Sequence, residues 1–371
     1  MNRRAFLKCL GLGAAIVAAP GAAPAQDDFL KGGDVSLLAK IERLGGVYRD
    51  AGKPKDALAI FKDHGANCMR LRLFHRPGGK GPVVNGLDYT VALGRRIKDS
   101  RLKLLLNFHY SDTWADPGHQ AKPAAWRDLP FDRLEAAVFA YSRDTIAAFK
   151  KAGALPDIVQ IGNEIAPGML WDDGRVGGKF DTPEQWRQFG ALLRAGVRGV
   201  KAPLAADERV RIMLHIHPGG SAKVTRWFFD GVLAQGVPFD LIGLSYYPWW
   251  HGSFDDLRDN LAATAKRFRK DIVVVETGFP WTTERFDPGG NVFGGEPERL
   301  KAAYPQTPAG QKAFLEELIR IVRHTPDGLG KGVIYWAPEW IAVEGLRSSW
   351  ENIALFDQRG NVLPAMAAFR E

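Results

Sequence analysis

Short apolar runs recur along the chain from residue 30 onward, and a segment with helical periodicity separates each run from the next. The runs are apolar at successive positions, which predicts parallel strands that helices cover on both faces. The runs lie at 34–38 (the weakest), 69–74, 103–109, 158–164, 211–217, 241–247, 271–278 and 332–336. Eight such strands alternating with helices predict an α/β fold with one domain, the TIM (β/α)8 barrel.

Helices are predicted at 54–64, 88–100, 131–152, 221–235 and 254–269. Two more helix starts are marked by Thr182-Pro183 and Thr307-Pro308, because threonine is a good N-cap and proline suits the first helical position. Gln185 follows Thr182 at the spacing of a capping box. The competing doubly wound sheet would need a glycine-rich phosphate turn after an early strand, and the sequence has none.

The N-terminal segment has the pattern of an export signal. Arg3-Arg4 precedes the apolar run 10–19, and Ala23-Pro24-Ala25 offers a cleavage site for a twin-arginine type of leader. The apolar run is too short to span a bilayer with ease. We therefore predict a cleaved signal over 1–25 and one mature domain over 26–371, which is periplasmic or extracellular and no longer attached to a membrane.

Composition excludes some classes of partner. The formal net charge is +8, but lysine and arginine are spread without a concentrated stripe, so we expect no nucleic-acid binding. Cys9 lies in the predicted signal, which leaves Cys68 alone and rules out an intramolecular disulfide. Cys68 opens an apolar strand, so we interpret it as a buried small side chain. We expect a monomer.

Two carboxylates, Glu164 and Glu276, each stand at the end of a predicted strand. In a barrel these strand ends meet at one face, and a charge closing an apolar run is costly to bury unless it is paired or used. Retaining glycosidases use such a pair, with one protonated acid and one ionised nucleophile about 5–5.5 Å apart. A structural ion pair is the alternative for either residue alone. Two of them, with Asn163 beside one, favour catalysis.

Arginine and aromatic side chains share this end of the predicted barrel. Arg70 and Arg72 have the same parity in their strand, and Arg70 is predicted to keep Glu276 ionised, whereas Arg72 has no assigned role. Sugar rings stack on aromatic faces, and Trp336, which ends a strand, is the best candidate. The other aromatic candidates are Trp114, Trp171, Trp249, Trp250, Trp281 and Trp340, whereas Trp227 and Trp350 are expected to be core packing.

A metal-dependent barrel hydrolase is another possible interpretation of the same residues. His109 and His217 close two strands, but the sequence contains no HExxH element and no calcium-loop pattern. We therefore rank metal catalysis below glycoside hydrolysis and expect no cofactor, metal or structural calcium.

Several separated motifs resemble glycoside hydrolase family 53, the endo-β-1,4-galactanases, a family of retaining TIM-barrel enzymes. The resemblance runs from about Gly33 to Leu363. Its motifs are His109-Tyr110-Ser111-Asp112-Thr113-Trp114-Ala115-Asp116-Pro117-Gly118, Gln160 to Ile165 with Gly168-Met169-Leu170-Trp171, Ser245-Tyr246-Tyr247-Pro248 with Trp250-His251-Gly252, and Glu276 to Thr282.

The resemblance implies that Glu164 is the acid/base and Glu276 the nucleophile. It implies that the subsite of the attacked sugar is lined by Arg70, His109, Asn163, Tyr247 and Trp336. As further substrate contacts we predict Trp171, His217, Trp250 and Trp281. The implied substrate is β-1,4-galactan, in the type I arabinogalactan side chains of pectin.

Two departures from the family pattern leave the exact polysaccharide open. Asn107 stands where aspartate is expected, and Trp336-Ala337-Pro338-Glu339-Trp340 stands where Trp-Glu-Pro-Ala-Trp is expected. We interpret both as changes in rim residues. The alternatives are a related barrel glycosidase acting on β-glucan or mannan, and a sugar-binding barrel without turnover.

Overall fold

The computed structural model describes residues 28–294, 296–300 and 303–371, so the predicted export signal lies outside the described residues. Eight parallel strands close into a barrel in which each strand pairs with its neighbours in sequence. The strands are β1 (Leu30–Asp34), β2 (Cys68–Leu73), β3 (Lys103–Phe108), β4 (Ile158–Ile161), β5 (Arg211–Ile216), β6 (Leu241–Tyr246), β7 (Asp271–Thr277) and β8 (Gly330–Trp336). Because β1 pairs with both β2 and β8, the sheet has no edge, and the predicted TIM barrel is confirmed.

Helices follow the strands and cover the outside of the barrel. They are α1 (Leu38–Arg43), α2 (Ala57–Asp63), α3 (Leu87–Asp99), α4 (Phe131–Lys151), α5 (Pro183–Lys201), α6 (Ala222–Ala234), α7 (Phe254–Phe268) and α8 (Pro308–Arg323). The five helices predicted from periodicity are therefore present, with boundaries shifted by a few residues at most. No helix among the described residues is both long and apolar enough to cross a bilayer.

The two predicted threonine caps are present at the starts of α5 and α8. The hydroxyl oxygens of Thr182 and Thr307 accept hydrogen bonds from the backbone N–H groups three residues later, at 3.2 and 3.1 Å. The predicted capping box is wrong, because the Gln185 amide donates to the carbonyl oxygens of Asp172 and Arg175 instead of returning to the cap. This glutamine ties helix α5 to the loop that follows β4.

Apolar side chains fill both the inside of the barrel and the layer under the helices. The inner cluster consists of Leu30, Cys68, Leu105, Ile158, Met213, Leu241, Val273, Val275 and Ile334. Cys68 is fully buried, as predicted, and burial raises the pKa of its thiol to about 12, which leaves it unreactive. The filled interior makes the barrel a rigid support for residues at the carboxyl ends of its strands.

Strand β1 differs from the prediction. The sequence interpretation placed it at 34–38, but the strand occupies Leu30–Asp34 and helix α1 begins at Leu38. Glycines at the centre of β1 remove the apolar pattern, and contact with β2 explains why Gly32 is needed. A Cβ on Gly32, whose φ is +156°, would lie 1.9 Å from the carbonyl oxygen of Cys68.

We expect Gly32→Ala to lower the free energy of unfolding by about 2 kcal/mol or more, because the added carbon meets backbone that cannot move without breaking the β1–β2 pairing. Gly78→Ala is the matched control, since a Cβ there meets no atom within 4 Å. Denaturant unfolding followed by circular dichroism measures both. Equal stability of the two variants would contradict the proposed close approach.

Candidate active site

Glu164 and Glu276 face one cleft of about 500 Å³ at the carboxyl end of the barrel. Glu276 lies within β7, and Glu164 lies three residues beyond the end of β4. A carboxylate oxygen of one lies within 4.8 Å of a carboxylate oxygen of the other. Inverting enzymes leave room for a water molecule with a gap of about 6.5–9.5 Å, so the observed approach fits the retaining arrangement.

A sharp turn after β4 aims Glu164 into the cleft. Its backbone has a φ of +51°, an uncommon conformation for a residue with a side chain. Neighbouring groups hold the turn: the Gln120 amide donates to the Asn163 carbonyl oxygen at 2.8 Å, and the Ile165 N–H donates to the His215 carbonyl oxygen at 2.9 Å. Conformations of this kind persist where the surroundings fix them, and they cluster at functional sites.

Arg70 lies under the floor of the cleft and joins it to the barrel interior. Its guanidinium donates to Asp34 at 2.8 Å and to the amide oxygen of Asn163 at 2.9 Å. It also forms an ion pair with Glu276 at 2.7 Å and a hydrogen bond to the Gln160 amide oxygen at 3.3 Å. The predicted pairing of Arg70 with Glu276 is thus present, and each of the three guanidinium nitrogens has a partner.

The two carboxyl groups have unequal surroundings. Burial raises the pKa of Glu164 to about 8, the negative charge of Glu276 acts in the same direction, and a 2.6 Å hydrogen bond from Ser245 opposes it. Burial also raises the pKa of Glu276, but the adjacent Arg70 and the Tyr247 hydroxyl, 3.3 Å away, favour its ionised form. These surroundings favour the protonated form of Glu164 and the ionised form of Glu276.

Three neutral histidines line the cleft. Burial, with the charges of Arg70 and Arg72, places the pKa of His109 well below its usual value, and burial lowers those of His217 and His251 to about 4 and 3. Nδ1 of His109 accepts the Ala115 N–H at 3.0 Å. The proton of this neutral ring is therefore on Nε2, which makes His109 a hydrogen-bond donor at the cleft.

The structure brings most of the predicted substrate contacts into this cleft: His109, Asn163, His217, Tyr247, Trp250 and Trp336. Ser245 and Tyr247 contact the two glutamates, whereas the Tyr246 hydroxyl turns away to the Gly252 carbonyl oxygen. Trp171 instead lines a second, adjoining pocket. Trp281 borders neither pocket, because it stacks on Phe286 and donates to the Glu351 carbonyl oxygen.

Other lining residues did not emerge from the sequence as candidates. They are Ala115, Asp116, Pro117, His251, Val292 and Trp350. Asp116 and Pro117 lie inside the motif that follows β3, so that motif could have indicated them. Trp350 was expected to be core and is 2% exposed, yet its ring borders the cleft 4.7 Å from that of Trp336.

The two departures from the family pattern are not at the rim, so that interpretation is wrong. Asn107 and Glu339 are both fully buried beneath the cleft. The Asn107 amide donates to the Asn163 amide oxygen at 2.9 Å, which an aspartate could not do. Glu339 accepts the Leu37 N–H at 2.8 Å, and burial raises its pKa to about 8. Asn107 therefore supports Asn163, whereas Glu339 ties the loop after β8 to the start of α1.

His215 is a further member of the site, and with His217 it forms a His-x-His element that the sequence interpretation passed over. Its ring approaches Glu164 and Glu276 closely enough that the three could hold a metal ion. However, Nε2 lies 2.8 Å from the Ser245 hydroxyl and Nδ1 lies 3.0 Å from the Gln160 amide. Because protein groups engage both ring nitrogens, the arrangement favours a hydrogen-bonded support for Glu164.

Comparisons with known proteins agree with this site. The model of glycosyl hydrolase family 53 matches residues 30–369. An uncharacterized protein in the bgaB 5′ region of Niallia circulans is 45% identical over 93% of this chain and 94% of its own. An arabinogalactan endo-β-1,4-galactanase of Cellvibrio japonicus is 35% identical over 92% of this chain and 90% of its own.

Similarity extends to solved structures. The GH53 catalytic domain of Ignisphaera aggregans superposes with a TM-score of 0.87 at 35% identity, and the match covers 94% of this chain and 97% of that one. Sequence and fold therefore agree over nearly the whole described length. The chain belongs to glycosyl hydrolase family 53.

Proposed function

We propose that this glycoside hydrolase is a retaining endo-β-1,4-galactanase that uses Glu164 as acid/base and Glu276 as nucleophile. The observation that carries the chemistry is a carboxylate pair within 4.8 Å. Among the described residues, Glu276 forms an ion pair with Arg70, and Glu164 forms none. The substrate comes from the relatives, since the galactanase of Cellvibrio japonicus aligns over 92% of this chain. The predicted polysaccharide is the galactan side chain of pectin.

The reaction proceeds in two displacements. Glu276 attacks the anomeric carbon while the proton of Glu164 passes to the glycosidic oxygen, so that the leaving chain departs neutral and a glycosyl ester forms. Glu164, now ionised, takes a proton from water, which attacks the same carbon and releases Glu276. The pKa of Glu164 falls when the charge of Glu276 is consumed in the ester, because that charge is one cause of its elevation.

Neighbouring side chains prepare the subsite of the attacked sugar. Asn163 has its amide oxygen held by Arg70 and Asn107 and one N–H held by the Ala115 carbonyl oxygen, which leaves its second N–H for a sugar hydroxyl. His109 offers a further donor. Trp336, at the end of β8, offers an aromatic face. Fixed donors of this kind stabilise charge that develops in the transition state.

We further propose that the enzyme works without a cofactor, metal or structural calcium. Protonation by Glu164 and attack by Glu276 account for both halves of the reaction, and the ring of His215 is engaged by Gln160 and Ser245. A monomer is proposed on the ground that one chain supplies both carboxylates.

Hydrolysis of β-1,4-galactan beside β-glucan and mannan tests the function. We expect galactan alone to give short oligosaccharides, with the β-anomer as the first product seen by NMR. Glu276→Gln should lower kcat by about 10⁴-fold or more while binding persists, because it removes the nucleophile. Glu184→Gln, on the exposed first turn of α5, is the control. Preference for another polysaccharide, or near-normal turnover of Glu276→Gln, would refute the proposal.

Glu164→Ala should slow substrates with poor leaving groups by several orders of magnitude and slow activated aryl glycosides far less, because only the former need a proton. In the unaltered enzyme, kcat/KM should fall as pH rises above about 8, where Glu164 loses its proton. The pH profile of the variant on an aryl substrate should lack this alkaline limb. Retention of the limb would assign it to another group.

We also propose export, from the twin-arginine pattern of residues 1–25. Expression of the full chain should give a mature protein that begins at Gln26, as read by N-terminal sequencing. Arg3→Lys together with Arg4→Lys should keep the full-length chain inside the cell, because the paired arginines are what the pattern rests on. A mature protein that starts elsewhere would relocate the cleavage site.

A further inference from the structure

A second pocket adjoins the catalytic cleft on the side of Glu164. It has a volume of about 660 Å³ and shares Pro117 and His217 with the lining of the cleft. One wall is the loop over residues 166–181, which directly follows Glu164, and the other is the start of helix α6. A chain that leaves the cleft past the acid therefore enters this pocket.

Positive charge and aromatic rings line the pocket together. Arg175 lies over the ring of Trp171, with its guanidinium carbon 4.0 Å from the ring centre, and over Phe180 at 4.4 Å. Lys179 and Lys223 are exposed at the mouth, and neither pairs with a carboxylate among the described residues. Aromatic faces suit sugar rings, and cations suit a carboxylate.

The acidic groups nearby are occupied. Asp181 lines the pocket, but its carboxylate accepts hydrogen bonds from the indoles of Trp186 and Trp227 at 2.7 and 3.2 Å. Asp172 approaches Arg175 at 3.2 Å, with 71% of its side chain exposed to solvent. An exposed pair of this kind is weak, so Arg175 still offers charge to a ligand. The lining itself contains three cationic side chains and one carboxylate, which leaves it positive.

The pocket wall is held in place by the backbone. The Trp171 N–H donates to the Gln120 carbonyl oxygen at 2.8 Å, and the Val176 N–H donates to the Pro167 carbonyl oxygen at 3.2 Å. The Gln185 amide donates to the Arg175 carbonyl oxygen at 2.8 Å. Binding to a surface fixed in this way costs little ordering of the protein.

We propose that this pocket binds a carboxylated sugar, a uronate, in the leaving-group part of the substrate. The acid must reach the oxygen that joins the attacked sugar to the leaving chain, so that chain lies on the Glu164 side, where the pocket opens. The inference rests on the proposed function, because it uses the assignment of Glu164 as acid. It adds that the enzyme favours galactan attached to an acidic carbohydrate over neutral galactan.

Two substrates that differ only in charge test the proposal: a β-1,4-galactan oligosaccharide with a uronate on its reducing-end side, and the methyl ester of the same compound. We expect kcat/KM to be about tenfold higher for the acid at low ionic strength, and the ratio to shrink as salt screens the contact. A ratio near one would overturn the uronate site. If the enzyme cleaves none of the three substrates, the acid, the ester and plain galactan, the proposed function would instead be overturned.

Paired variants separate a local site from the general charge of the protein. Lys179→Gln with Lys223→Gln should bring the acid-to-ester ratio toward one. Lys151→Gln with Lys201→Gln removes the same charge at the exposed C-terminal ends of α4 and α5, at the opposite end of the barrel, and should leave the ratio unchanged. An equal loss in both double variants would show that net charge, and not the pocket, favours the acid.

Discussion

The rest of the site depends on the contacts of the buried Arg70 guanidinium. A buried guanidinium is tolerated only when charges and hydrogen bonds surround it, and removal of one partner from such a group is strongly destabilising. Its partners are Asp34 in β1, Gln160 in β4, Asn163 in the turn after β4, and Glu276 in β7. One side chain therefore ties four parts of the barrel to a single geometry, and the proposed nucleophile is one of them.

The proposed roles of the two carboxylates follow from the placement of that one cation. Both glutamates are buried, and burial alone would keep a proton on each. Arg70 contacts Glu276 and not Glu164. Glu164 instead accepts a hydrogen bond from the neutral Ser245 hydroxyl, which is in turn hydrogen-bonded to His215. Two residues of the same type are thereby placed in surroundings that suit the opposite roles proposed for them.

Features that depend on the local sequence pattern could be predicted, whereas features that depend on contacts between distant residues were missed. The valine run before Glu276 and the apolar run before Glu164 gave two strand ends, and the barrel then placed them together. Strand β1 was misplaced because Gly32 reflects a contact with Cys68, 36 positions away, and leaves no apolar pattern of its own. Glu339 was misjudged for the same reason, since its depth relative to the cleft depends on loops from other parts of the chain.

The direction of the strands has a practical consequence. All eight run toward the cleft, so Leu30, where β1 begins, lies at the opposite end of the barrel. The carbonyl oxygen of Glu371 lies there too, 2.8 Å from Arg323 at the end of α8. A bead, a surface or a fused module joined through either of these points would stand behind the enzyme, with the mouth of the cleft turned outward toward a polysaccharide.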